Sequence, residues 1–452
     1  MFSVIQSIVI DLSLGEAMHS LASALFPICR SITGNGLRES LRIISSEIPL
    51  EIREVASGTA VFDWEVPREW NISDAYIKNS KGEKILDFRN SNLHVLNYSI
   101  PVHQHVTLAE LKKHLHYDKE HPEWIPYRTS YYKEEWGFCM SYNQYCGLED
   151  EMYEVCIDST LMPGSLTYGE CFIQGELSDE VLISSHICHP SLANDNLSGV
   201  SVATMIARKL LQSKPRYSYR FLFIPGTIGA ITWLAQNEHV VPRIKHGLVA
   251  SLLGGPGPFT YKKSRRGDTE IDQVAEFVLK SKSSTNNVID FFPYGYDERQ
   301  YCSPGFNLAV GCLSRTPFGQ YDEYHTSADN LEYITTASLE DSYHTYLEII
   351  NVLESNKKYI NVNPKCEPQL GRRGLYNQQG GDNDNQNFQL AALWILNLSD
   401  GEHTLVSICQ KSKMSFNSIN FAAQKLLECG LLREPDSDEL PSRENSPLSL
   451  LR

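Results

Sequence analysis

The sequence predicts an α/β fold: a mainly parallel central sheet flanked by helices, an inserted small β-rich domain and a C-terminal winged helix-turn-helix. Three observations carry this expectation. Between Glu154 and Leu253 apolar strand-like runs alternate with helical stretches. Residues 60–150 are rich in Trp and Tyr and poor in long helical runs. Residues 388–433 read as three short helices that end in Gly430-Leu431-Leu432. The expected organisation is a core in 1–58 and 152–362, an inserted domain in 59–151, a linker in 363–387, a winged helix in 388–434 and a disordered tail in 435–452.

The elements follow in chain order. Leu21, Leu25, Leu37, Leu41 and Ile44 recur at three- and four-residue steps, which predicts helix from Ser13 to about Ile48, broken at Gly34-Asn35-Gly36. Leu50 to Val55 alternates like a strand. In the insertion, Ala75-Tyr76-Ile77-Lys78 is β-like and Lys81-Gly82 is a hairpin-type turn. Its tryptophans are expected in its core, with sugar stacking as the functional alternative. Three strand-then-helix units come next: Val181–Ser184 before Gly199–Gln212, Tyr219–Ile224 before a helix through Gln236, and His246–Leu253 before Gly254-Gly255. Strands so uniformly apolar are expected inside a parallel sheet covered on both faces. The Asn-, Gln- and Gly-rich stretch from Asn361 to Asn387 reads as linker.

Bulk properties narrow the function classes. At 452 residues two or three domains are expected, and a composition of 42% hydrophobic and 21% charged residues is that of a soluble globular chain. A net charge of −15 argues against nucleic acid or an anionic membrane as the main partner. No run approaches the roughly 18 apolar residues of a membrane helix. The apolar patch Val4-Ile5, Ile8-Val9-Ile10 lacks a basic flank and meets Asp11 early, so helix or strand is expected there, not a signal peptide. Eleven cysteines without a Cys-x-x-Cys pair fit reduced thiols in the cytoplasm.

The chemistry concentrates at residues 184–199. The run Val181-Leu182-Ile183 delivers His186 at a strand end, Asp195 follows in an Asn-Asp-Asn turn, and Gly199 opens a helix. An imidazole and a carboxylate on one sheet rim are a ligand mixture that zinc takes. Tyr324-His325-Thr326 is placed to supply an opposing imidazole. His186, Asp195 and His325 then form a set of two His and one carboxylate that leaves a position for water. His189 is the alternative ligand, with packing before Pro190 as its other reading. Arg265, Arg266 and Lys262-Lys263 form a basic cluster that reads either as a solvated face or as a clamp for a substrate carboxylate or phosphate. Arg266 is the better candidate for the clamp.

The ordered set resembles the zinc aminopeptidases of the bacterial leucyl-aminopeptidase type, whose zinc-exopeptidase-like fold glutaminyl cyclases share. Tyr296-Asp297-Glu298 with Pro304-Gly305-Phe306 stands at the Ser-Asp loop of those proteins, and Tyr324-His325-Thr326 at their last histidine. The chain is more closely similar to a bacterial aminopeptidase-like group often encoded among polysaccharide-biosynthesis genes. Leu25-Phe26-Pro27-Ile28-Cys29-Arg30-Ser31-Ile32-Thr33-Gly34, Val61-Phe62-Asp63-Trp64, Ser264-Arg265-Arg266-Gly267-Asp268 and the run from Asp297 to Gly305 carry that similarity.

The resemblance implies hydrolysis of an amide or peptide bond by metal-activated water, with His186, Asp195 and His325 on zinc. Read from the residues, Glu323 or Glu298 is the candidate for proton transfer, with a solvated loop acid as the other reading of Glu323. Asp297, Arg266 and Tyr324 are the candidates at the substrate, a carboxylate at 297 or 298 also being able to orient a ligand or bind metal, and Asp329 stands behind His325. The resemblance also implies acids where this chain has Gly226 and Gly255. One ion is therefore expected in preference to two, and a catalytically impaired peptidase-like binding protein is the alternative. The partner is expected to be a small-molecule or peptide-like substrate. The winged helix is assigned to an intramolecular or homo-oligomeric contact, since Glu428, Glu434, Asp436, Asp438 and Glu439 offset its lysines.

Overall fold

Strand burial explains the central sheet of the computed structural model, which describes residues 12–375 and 383–436. Eight strands build it: β1 (Glu51–Ala56), β2 (Ser165–Ile173), β3 (Glu180–His186), β4 (Ser218–Ile224), β5 (Ile244–Ala250), β6 (Thr260–Lys262), β7 (Asn287–Ile289) and β8 (Val310–Ser314). Their order is β1-β2-β4-β3-β5-β8-β6-β7. Every residue of β3, β4 and β8 is buried, and these strands run parallel with β5 at the centre. Helices Gly199–Leu210 and Ile228–Gln236 cover them, so each strand packs on both faces. Antiparallel pairs, β1 with β2, β2 with β4 and β6 with β8, flank this parallel centre. The mainly parallel α/β expectation holds, with antiparallel edges added.

The expected N-terminal helical region is two helices, Leu14–Leu25 and Asn35–Ser45. Ser13 opens the first with a capping box to Glu16. Gly34, at φ +97, starts the second where a β-carbon would meet the Trp70 carbonyl at 2.0 Å. The expectation for Val4 to Ile10 falls outside the described residues.

The insertion is built on a four-stranded antiparallel sheet whose long strands are Glu69–Lys78 and Met152–Met162. The sheet therefore runs eleven residues past the expected boundary at 151. Trp70 is buried, as expected for a core tryptophan, whereas Trp64 is 48% exposed.

The C-terminal unit has helices Asn383–Leu398, Leu405–Ser412 and Phe416–Glu428 with a three-stranded wing. It begins earlier than expected. Lys358–Asn361 is the central wing strand, and Leu370 and Leu375 bury against Ala391, Ile395 and Leu426. Polar composition hid these two leucines, so the described part of the expected linker belongs to the winged helix. The expected tail lies almost wholly outside the described residues. No helix among the described residues is long and apolar enough to cross a membrane.

Candidate metal centre

Two asparagines aim the central carboxylate. In the turn after β3, Asn196 donates to the Ser185 hydroxyl, the His186 carbonyl and the Ala250 carbonyl, and accepts from the Leu252 amide. Asn194 accepts from the Gly254 and Gly255 amides. With both neighbours pinned to the end of β5, Asp195 projects between them, fully buried. Its peptide bond to Asn196 is cis, as is Gly226–Thr227.

Each oxygen of Asp195 meets an imidazole. His186, the last residue of β3, donates from Nε2 to Oδ1 at 2.7 Å. His325 donates from Nε2 to Oδ2 at 2.9 Å. His189 stands 4.0 Å from Oδ2, and with His186 and Asp195 it forms a group able to hold a metal ion. Burial would raise the Asp195 carboxyl, but His189, His186 and His325 hold it well below the usual carboxylate range. Burial also pushes His189 down to about 3, which leaves its nitrogen lone pair free to bind a cation. His186 and His325 each meet Asp195, but the ligand atoms that lie within 4.8 Å of one another are those of His186, His189 and Asp195, so His189 and not His325 completes the tightest group.

Aromatic rings hold the imidazoles. Tyr296 stacks on His186 with centroids 4.7 Å apart, and Tyr324 stacks on His325 at 4.0 Å. Tyr127, from the inserted domain, stands 5.1 Å edge-on to both His189 and His325. Its amide donates to the His325 carbonyl at 2.7 Å, and the Ser327 amide donates to the Ile125 carbonyl at 2.8 Å. The segment around residues 125–131 is thus a wall of the site. Nothing in the sequence shows this, because a tyrosine nearly 200 positions from His325 carries no local mark of it.

The acids distribute differently from expectation. Asp329 does not face the His325 ring; it accepts from the Asn194 and Asp195 amides and secures the turn. Burial pushes it up to about 8. Glu298 is fully buried in an ion pair with Lys262, which also donates to the Phe292 and Tyr294 carbonyls. Lys262 is thereby a loop tie, and it pairs with one oxygen of Glu298 while the other, Oε2, is buried without a partner. Asp297 is fully buried with both oxygens unpartnered, and burial pushes it up to about 7. A β-carbon at Gly226 would lie 3.2 Å from the His186 β-carbon and 3.4 Å from Asp297 Oδ1, so that position opens onto the site. A β-carbon at Gly255 would meet the Tyr333 ring at 3.0 Å. Glu323 is half-buried two residues before His325. Arg266 is exposed at the Gly267 turn, and among the described residues no hydrogen bond or ion pair joins it to the cluster.

An α/β core carrying buried His and Asp at its strand ends, with a winged helix after it, defines an aminopeptidase-like architecture. The chain belongs to the family described as a domain of unknown function, DUF4910, whose model matches residues 19–356, and a winged helix-turn-helix model matches 357–434. It is 54% identical over 419 residues to a Clostridium acetobutylicum protein named "Putative polysaccharide biosynthesis protein with aminopeptidase-like domain", covering 93% of this chain and 96% of that one. A crystal structure of a C. acetobutylicum protein named "putative peptidase" superposes with TM-score 0.88 at 53% identity, again covering 93% and 96%. A zinc aminopeptidase from Bacillus subtilis shares the fold at TM-score 0.55 and 12% identity, over 75% of this chain and 94% of that one.

Proposed function

We propose that the chain is a zinc-dependent hydrolase of the aminopeptidase type that cleaves an amide or peptide bond. The observation that carries this reading is one buried carboxylate shared by His186 and His325 on its two oxygens. The donor set fits zinc: imidazoles and a carboxylate, dry on the His186 side and 29% exposed at the His325 side chain. His186, Asp195 and His325 would hold the ion, with His189 beside them. When bound, zinc polarises the scissile carbonyl and lowers the pKa of a bound water toward neutrality.

The remaining work falls to the chain. Tyr296 and Tyr324 fix the two ring planes by stacking, and Asp329 fixes the turn that carries Asp195. Glu323, close to His325 in sequence and half-buried, is our assignment for proton transfer between water and leaving amine. Asp297 and Tyr324 line the substrate side. The eleven cysteines are unpaired, which supports the cytoplasm as the setting.

Gly226 favours a second reading, a peptidase-like binding protein, because a glycine stands beside His186 and Asp297 where the resemblance implies an acid. Hydrolysis of aminoacyl amides and aminoacyl anilides by the zinc-loaded chain separates the two. Turnover that vanishes in Asp195→Asn supports the hydrolase. Saturable binding without turnover supports the binding protein, and equal turnover in Asp195→Asn contradicts the assigned centre.

A further inference from the structure

The motif Cys29-Arg30-Ser31 lies outside the metal cluster, and none of the chemistry above uses it. Arg30 is nevertheless fully buried, an expensive place for a guanidinium. The acceptors of its hydrogen bonds are all uncharged. Nε donates to the His189 carbonyl at 2.7 Å and Nη2 to the Pro190 carbonyl at 3.0 Å. Nη1 donates to the Leu25 carbonyl at 2.5 Å and to Ser40 Oγ at 3.3 Å. A planar fork with five donors reaches four acceptors on three chain segments here, one more than the three donors of a Lys ammonium can serve.

The backbone of the same residue reaches the other half of the site. The Arg30 carbonyl accepts from Asn97 Nδ2 at 2.8 Å, while Asn97 Oδ1 accepts from Ser31 Oγ at 2.6 Å. Asn97 is buried and pairs through its own backbone with the segment that lines the site: its amide donates to the Arg128 carbonyl, and its carbonyl accepts from the Ser130 amide. One residue before Arg128, the Tyr127 amide donates to the His325 carbonyl, and its ring stands against both His189 and His325.

We infer that Arg30 and Asn97 are a pair of positioning residues that set where His189 and His325 stand around Asp195. The pair thereby makes the inserted domain a working part of the cation site. The inference deepens the zinc reading and rests on it for the identity of the ion. Its geometric content, that one buried fork and one amide hold two separate loops, does not depend on any ion. The N-terminal motif then acts through its hydrogen bonds on groups that touch the cation, and itself touches nothing that reacts.

The test uses the full chain, wild type and the variants Arg30→Met, Arg30→Lys and Asn97→Ala, each with two readouts. Hydrogen–deuterium exchange on metal-free protein is expected to rise at least about tenfold over residues 187–196 in Arg30→Met and over 125–131 and 323–327 in Asn97→Ala. Amides in β3, β4 and β5 keep wild-type rates, which separates local loosening from general destabilisation. Zinc affinity, measured by competition with a chromogenic chelator, is expected to fall about 10- to 100-fold in Arg30→Met and Asn97→Ala, and less in Arg30→Lys. Asn97→Ala carries the test alone if Arg30→Met does not fold. Wild-type exchange over these loops, or loosened loops with wild-type zinc affinity, overturns the inference. A wild-type chain that takes no zinc overturns the zinc reading instead, and the exchange result still decides the geometry.

Discussion

At the scale of the residue, burial and partnership separate acids that look alike in sequence. Glu298 and Glu323 are equivalent candidates when read from the chain, yet Glu298 is fully buried with one oxygen paired to Lys262, and Glu323 is half-buried two residues before His325. Glu323→Gln is therefore expected to lower kcat by about 10²- to 10⁴-fold with zinc content unchanged. A variant with wild-type kcat would remove Glu323 from the mechanism. Gly226 gives a prediction of the opposite sign. A β-carbon there meets its neighbours at 3.2 and 3.4 Å, which asks for only a few tenths of an ångström of adjustment. Gly226→Glu is expected to fold and to raise amidase turnover at least about tenfold, the lower part of what a positioned general base supplies. Unchanged turnover would mean that the missing side chain is not what limits the site.

At the scale of the element, the helix Asn35–Ser45 is fixed to the sheet and the insertion by one arginine. Arg38 donates to Glu69 through two nitrogens, at 2.8 and 2.6 Å, and to Glu54 at 2.6 Å. This hydrogen bonding, against the opposing effect of burial, lowers the Glu69 carboxyl from 4.5 to about 2. A folded pKa below the unfolded one contributes stability that is present above pH 4.5 and is lost as pH falls toward 2. Glu69→Gln is expected to cost about 1–2 kcal/mol at pH 7, given the partial exposure of the pair, and progressively less below pH 4.5. Urea unfolding of both proteins across that range measures it, and a difference independent of pH would contradict the linkage. Elements were the most legible level of the sequence. Continuous apolar runs announced β3, β4 and β5, and the repeat of leucines announced the first helices. The wing strand Lys358–Asn361 was hidden because its partners, Asp400–Thr404 and Leu432–Arg433, lie 40 or more residues away.

At the scale of the whole molecule, charge and topology decide the rest. A net charge of −15 opposes association with a polyanion. The last helix of the winged unit, Phe416–Glu428, presents Phe421 at 57% exposure and pairs Lys425 with Glu428. A gel shift with mixed duplex DNA at about 0.15 M salt is expected to show no complex at micromolar protein. A salt-sensitive complex there would assign the unit to nucleic acid. The candidate cation site was legible only in part for a related reason. His186, Asp195 and His325 stand at strand ends and in polar turns, where ligands gather, so local pattern exposes them. Asn97 and Tyr127 reach the site through contacts across many tens of residues, which no local pattern marks; Arg30 and Tyr296 lie in runs that carry the resemblance, but what each touches did not show in the sequence.

The most direct measurement is metal analysis of the purified chain after zinc reconstitution and removal of excess ion, with Asp195→Asn alongside. About one equivalent of zinc is expected in the wild type and less than about a tenth in the variant, because the variant loses the carboxylate charge that the two imidazoles share. Less than about a tenth of an equivalent in the wild type, or equal zinc in both, would contradict a cation held at His186, Asp195 and His325.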